Sequence, residues 1–161
     1  MRDDVDGLAE GWAANGLAPE AIARLALAKR VARLSLVFEQ AMKAGLSDLG
    51  LTYAEFDVLA ALLRAGGRLR PSELAKSLYL TSGGTSNVLQ RLTAAGYVAR
   101  EQNESDARSR WVHLTDKGTQ LTEKAMTMSV EVHERVLAAV PPEAITQAAE
   151  ALRPITARTR P

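Results

Sequence analysis

The chain has 161 residues, 47% of them apolar, and a formal net charge of only +1. Such a length and apolar share suit a single domain with a real core and exclude a disordered chain, while the balanced charge does not by itself announce a polyanion partner. Cysteine is absent, which excludes disulfides, zinc fingers and thiol-based redox sensing.

Local features narrow the field further. His113 and His133 lie far apart with no ligand-like spacing, so neither a metal site nor a cofactor is expected. Ser, His and acidic residues are scattered without nucleophile spacing, and no catalytic residues are expected. No apolar run approaches the ~18 residues of a membrane span. The first residues are acidic, unlike a secretory signal, so the chain is expected to be soluble and cytoplasmic. Residues 70–110 hold six Lys or Arg against four Asp or Glu, a modest basic excess.

In chain order, LAPEAIARLALAKRVARLSLVFEQAMKAG predicts one long helix, with Pro19 in its first turn and Gly45 near its end. Its apolar residues, among them Ile22, Leu25, Val31, Leu34, Val37 and Phe38, cover more than one stripe. A partner subunit is the simplest cover for so much apolar helix. LTYAEFDVLAALLRAGG opens on a capping box from Thr52 to Glu55 and closes on Gly66-Gly67, with Phe56, Leu59, Ala60 and Leu63 as its core stripe. RPSELAKSLYL predicts a short helix with Pro71 in its first turn. Thr81 is expected to cap the next helix, which stops at Gly96 and buries Val88, Leu89 and Leu92.

Two β patterns, YVAREQ and RWVHLT, flank the polar connection NESDARS. Thr115 then caps a second long helix. Pro141-Pro142 breaks it, and a final helix carries Ile145, Ala148, Ala149, Leu152 and Ile155 at helical spacing. Paired short helices followed by a charged hairpin make up a winged helix-turn-helix. The expected fold is therefore mainly α with a small β wing, a winged helix-turn-helix flanked by long helices. One domain spans 1–161, with the long helical segments at 17–46 and 115–158 and the winged helix-turn-helix at 52–114.

The stretch TSGGTSNVLQRLTAAGYV raises a question, because Gly costs roughly 1 kcal/mol against Ala inside a helix, yet two stand in its first turn. A recognition helix enters the major groove leading with its N-terminal residues, and bulk there would hold it off the duplex. Gly83 and Gly84 would permit that approach. Ser82, Thr85, Ser86, Asn87 and Gln90 would supply short polar groups to base edges and phosphates, and Arg91 would reach a phosphate or a guanine. Asp106-Ala107-Arg108-Ser109-Arg110 would carry Arg108 and Arg110 into the adjacent minor groove, with Asp106 aligning one guanidinium. The plainer alternatives are glycines that let the helix cross a neighbour closely, and a hairpin that is only a solvated turn.

Together, PSELA, the helix through RLTAAGYV, and the Asp-x-Arg wing followed by V-x-L-T-x-x-G resemble the DNA-binding core of the MarR family of bacterial transcription regulators. The resemblance implies a homodimer, joined through its first and last helices, that binds a pseudo-palindromic operator in double-stranded DNA. EGWAANGL, AEFDVLAALLRAG and GGTSN are similar to its urate-responsive, PecS-like branch. That likeness implies a ligand site for a small aromatic anion such as urate, formed by Trp12, Asp57 and Arg100. Strand alternation places Arg100 on the face of Val98 and so turned inward, where a guanidinium and the Asp57 carboxylate would each need a partner. A structural ion pair between the two, and a Trp12 that only anchors the N-terminal segment, are the simpler alternatives. Val88 stands where that branch tends to carry Arg.

The expected function is a ligand-responsive homodimeric repressor. The rivals are a winged helix used only for protein contacts, and a winged-helix fragment of an enzyme; for the latter, no Gly-rich cofactor loop follows.

Overall fold

A computed structural model of the chain describes every residue except 1, 79–81, 102–110, 160–161 and the side chain of Ser82. The expected cap Thr81 and the wing-tip residues Asp106, Arg108 and Arg110 lie outside the described residues. Among the described residues, seven helices and a small sheet follow in order: α1 (Asp4–Ala14), α2 (Pro19–Asp48), α3 (Tyr53–Arg64), β1 (Arg68–Leu69), α4 (Pro71–Ser77), α5 (Ser82–Ala94), β2 (Val98–Arg100), β3 (Val112–Leu114), α6 (Asp116–Leu137) and α7 (Pro142–Thr156). The chain divides into two compact units, residues 1–41 and 42–161.

In the N-terminal unit, α1 is an element that the apolar pattern does not announce. Its start is a capping box in which Asp3 accepts from the Val5 and Asp6 amides while the Asp6 side chain returns to the Asp3 amide. The acidic opening is matched by basic residues of α2. Arg30 bonds Asp3 at 2.8 Å and Asp6 at 2.7 Å, and Arg33 pairs with Asp4. The Arg30 guanidinium holds the Asp3 carboxyl below its ordinary pKa. Val5 and Ala26 are buried.

The second unit is built around α3. The Thr52–Glu55 box is formed, with the Thr52 amide donating to Glu55 Oε2 at 2.8 Å. Glu55, Phe56 and Val58 to Leu62 are buried, so the helix is covered nearly all round rather than along one stripe. Its neighbours are α4, α5, α6 and the sheet. Met42 and Leu46 from the end of α2, Leu74, Leu89, Leu92, Val98, Val112 and Ala125 complete the core. The helix α2 ends at Asp48, three residues past Gly45, and Gly45 packs directly beneath the Met128 thioether.

The sheet has the order β1-β3-β2, all antiparallel, so a third strand joins the expected hairpin. At its base three contacts lock α5, the sheet and α6 together. Thr115 caps α6 by accepting from the Gly118 amide at 3.0 Å and donates to the Gly96 carbonyl at 2.8 Å. Lys117 Nζ reaches the Ala95 carbonyl at 2.9 Å, satisfying a terminal acceptor of α5. A β-carbon at Gly118 would collide with the Tyr97 carbonyl oxygen and lie 2.8 Å from its carbon. Gly118→Ala is therefore expected to cost about 1–3 kcal/mol, as overpacking against rigid backbone does. Urea unfolding of the variant beside wild type measures this, and coincident midpoints would contradict the contact.

Candidate nucleic-acid interface

The helix α5 has two sharply different sides. Thr85, Val88, Leu89 and Leu92 are buried where the helix packs on α3, α4 and β2. Gly83, Ser86, Asn87, Gln90 and Arg91 are exposed. A β-carbon built on Gly83 meets nothing within 4 Å. Close crossing of a neighbour by the chain itself therefore does not explain that glycine, and the bare end faces open space. Gly84 is half-buried.

Two residues depart from the expected outward face. Thr85 is only 2% exposed; it falls on the same inner stripe as Val88, Leu89 and Leu92, and cannot reach a base while that packing holds. Arg91 is exposed but not idle, since its Nε lies 3.3 Å from Glu55 Oε1. Glu55 thus uses one carboxylate oxygen on the Thr52 cap and the other on α5. This second role of Glu55 has no signal in the sequence, where the capping box accounts fully for the residue. Val88 is buried within α5's inner face, so a charged relay through that position is not part of this chain.

Arg100 requires a correction. It is exposed, not turned inward, and it lines an open groove of about 590 Å³ with Ser86, Gln90, Thr93 and Ala94. Alternation does put Arg100 on the strand face of Val98, which is buried. Arg100 pairs with Val112, which is fully buried on the central strand β3, but β2 is an edge strand and a long side chain there carries its charged end out to solvent. The guanidinium therefore joins the outward side of α5.

Asp57 is half-buried on α3 and has no hydrogen bond or ion pair with a described residue. Desolvation raises its pKa, opposed by the charge of Arg64. No Asp57–Arg100 ion pair is present. Trp12 lies half-buried on α1 in the N-terminal unit. Arg68 and Arg70, stacked on Trp111 at the root of the wing, were not among the expected site residues, because a two-residue strand leaves too short a pattern to read.

A buried three-helix core, a recognition helix with a stripped outer face and a three-stranded wing stem define a winged-helix DNA-binding regulator. A family model described as the MarR family matches residues 49–109. The HTH-type transcriptional regulator PecS of Dickeya dadantii is 32% identical over 109 residues, 66% of this chain and 66% of its own length. The HTH-type transcriptional repressor Rv2887 of Mycobacterium tuberculosis is 37% identical over 106 residues, 66% of this chain and 76% of its own. A mutant of E. coli MarR solved in complex with operator DNA superposes with a TM-score of 0.72 at 25% identity, covering 80% of this chain and 92% of that one. The chain belongs to the MarR family, whose members regulate transcription by binding DNA and are not enzymes.

The state of Asp57 yields a pH test. Its folded pKa lies above the unfolded value, so ionised Asp57 disfavours the fold; that penalty is fully present above the folded pKa and fades as pH falls through it. Asp57→Asn is expected to raise the unfolding midpoint at neutral pH, with an advantage that shrinks on acidification. A constant or inverted difference across a pH series of urea melts would show that burial does not govern this carboxyl.

Proposed function

We propose that the chain is a homodimeric repressor whose α5 enters the major groove and whose DNA affinity is lowered by a small aromatic anion such as urate. The observation that carries the DNA contact is the open space over Gly83, beside exposed Ser86, Asn87 and Gln90. Residues 52–114 form the reading lobe in this scheme, with Ser82, Gly84 and Arg91 at its edges. Arg100 is reassigned to the DNA side. Asp106, Arg108 and Arg110 take the wing roles that the family resemblance implies.

Dimerisation through segments 17–46 and 115–158 is supported by the apolar surface that one chain leaves uncovered. Leu25, Leu27, Val31, Leu34, Leu36 and Val37 on α2 are exposed, and so are Val130, Val140, Ile145 and Ile155 towards the C-terminus. Val130, Leu137, Val140, Pro142 and Ile145 line an apolar groove of about 590 Å³ where α6 passes into α7. Surface of this kind marks an association site, and a second copy supplies matching faces. Two recognition helices held at fixed spacing would then meet half-sites one helical turn apart.

The repressor sense follows the similarity to Rv2887. Ligand response follows the similarity to PecS together with Asp57, a half-buried carboxyl on an apolar helix with no hydrogen bond or ion pair to a described residue. Binding there would favour one spacing of the recognition helices over the one DNA prefers. Trp12 is the aromatic platform that the same similarity assigns.

A mobility shift on DNA flanking the chain's own gene, with and without urate, tests the scheme. Gly83→Ala and Arg108→Ala are each expected to weaken binding about tenfold or more, ~1.4 kcal/mol, and Gly83→Ala to do so without loss of stability. Unchanged affinity in both would remove α5 and the wing from the interface. Asp57→Ala is expected to retain DNA binding and lose the urate effect; a preserved response would exclude this carboxyl from the ligand site.

A further inference from the structure

The outer face of the wing stem carries a cluster with no role in the contacts above. Arg68 pairs across the sheet with His113, and Leu69 with Val112. Continuing that register sets Arg70 opposite Trp111, so alternation brings Arg68, Arg70 and Trp111 to one face. The Arg68 guanidinium carbon lies 4.6 Å from the Trp111 ring centroid, and that of Arg70 lies 5.1 Å from it. Both arginines are exposed, and Trp111 is half-buried. Two acids stand beside them: Glu101, whose amide donates to the Trp111 carbonyl at 3.0 Å and whose carboxylate reaches Arg68 only at 4.0 Å, and Glu73, whose Oε2 accepts from the Arg70 amide at 2.8 Å.

Two like charges gathered on one indole repel each other. The ring's negative face offsets part of this, and stacking removes rotamer freedom that each side chain would otherwise lose on binding. Among the described residues no carboxylate comes closer than 4.0 Å to either guanidinium, because Glu73 is engaged by the Arg70 amide rather than by its side chain. Such a pair is preorganised for an anion with more than one charged oxygen. It sits beside Glu101 and Trp111, and the sequence between those two residues contains Arg108 and Arg110.

We propose that Arg68 and Arg70, held by Trp111, form a phosphate-binding platform at the root of the wing. This extends the duplex contact beyond α5 and the wing tip, and rests on the DNA-binding role proposed above. The platform contacts the sugar-phosphate backbone, so it positions the protein on DNA without reading sequence.

The test compares wild type with Arg68→Gln/Arg70→Gln on two labelled duplexes, one from DNA upstream of its own gene and one of random sequence. Each lost phosphate contact lowers the slope of log affinity against log salt by about 0.9, so the double variant is expected to lose about two units of slope per bound chain. Affinity is expected to fall by the same factor on both duplexes. Trp111→Leu, which keeps both charges, is expected to weaken binding while holding the slope. Arg68→Lys/Arg70→Lys is expected to recover the slope. An Arg68→Gln/Arg70→Gln chain that unfolds at the wild-type midpoint with an unchanged slope would overturn the platform alone. A wild-type chain that ignores both duplexes would overturn the DNA contact beneath it as well.

Discussion

The fold depends on how α5 is pinned. This helix begins Ser82-Gly83-Gly84, and its own propensity disfavours it by roughly 1 kcal/mol per glycine. It exists because its inner side is buried: Leu89 and Leu92 are each 1% exposed. Tertiary packing commonly outweighs propensity in this way. The Arg91–Glu55 pair ties its middle to α3, and Lys117 and Thr115 secure the carbonyls at its end. With these anchors on the inner side and at the tail, Gly83 at the leading turn keeps open space over its outer side.

Much of this architecture was legible in the residues, and the exceptions are instructive. The caps at Thr52 and Thr115, the start at Pro71 and the stop at Gly96 stand as expected, because each rests on chemistry local to a few residues. Helix α1 was missed because its box uses Asp3 and Asp6 rather than a hydroxyl and a Glu, with little apolar pattern behind it. Strand β1 is two residues long and exists only through its pairing with β3. Gly45 does lie near the end of α2, but its contact with Met128, more than eighty positions along the chain, has no local signal.

The candidate site divides along the same line. Periodicity separated the inner from the outer face of α5, with Thr85 the exception, as a small polar residue fits either. Arg100 was assigned the right strand face and the wrong environment, because whether a strand lies at the edge of its sheet is decided by the assembled order and not by the strand's own residues. Arg68, Arg70 and Trp111 come together only when β1 joins the sheet. Such clusters are made by register, and register is not written in any one segment.

The close seating of Gly118 beneath the Tyr97 carbonyl has a mechanical meaning. A joint without free play hands motion on instead of absorbing it, since packed interiors are hard to compress. Tilting or sliding of α6 must carry Tyr97 along, and with it the strand that leads into the hairpin. The long helix and the wing root move as one lever, and a small glycine serves as its bearing.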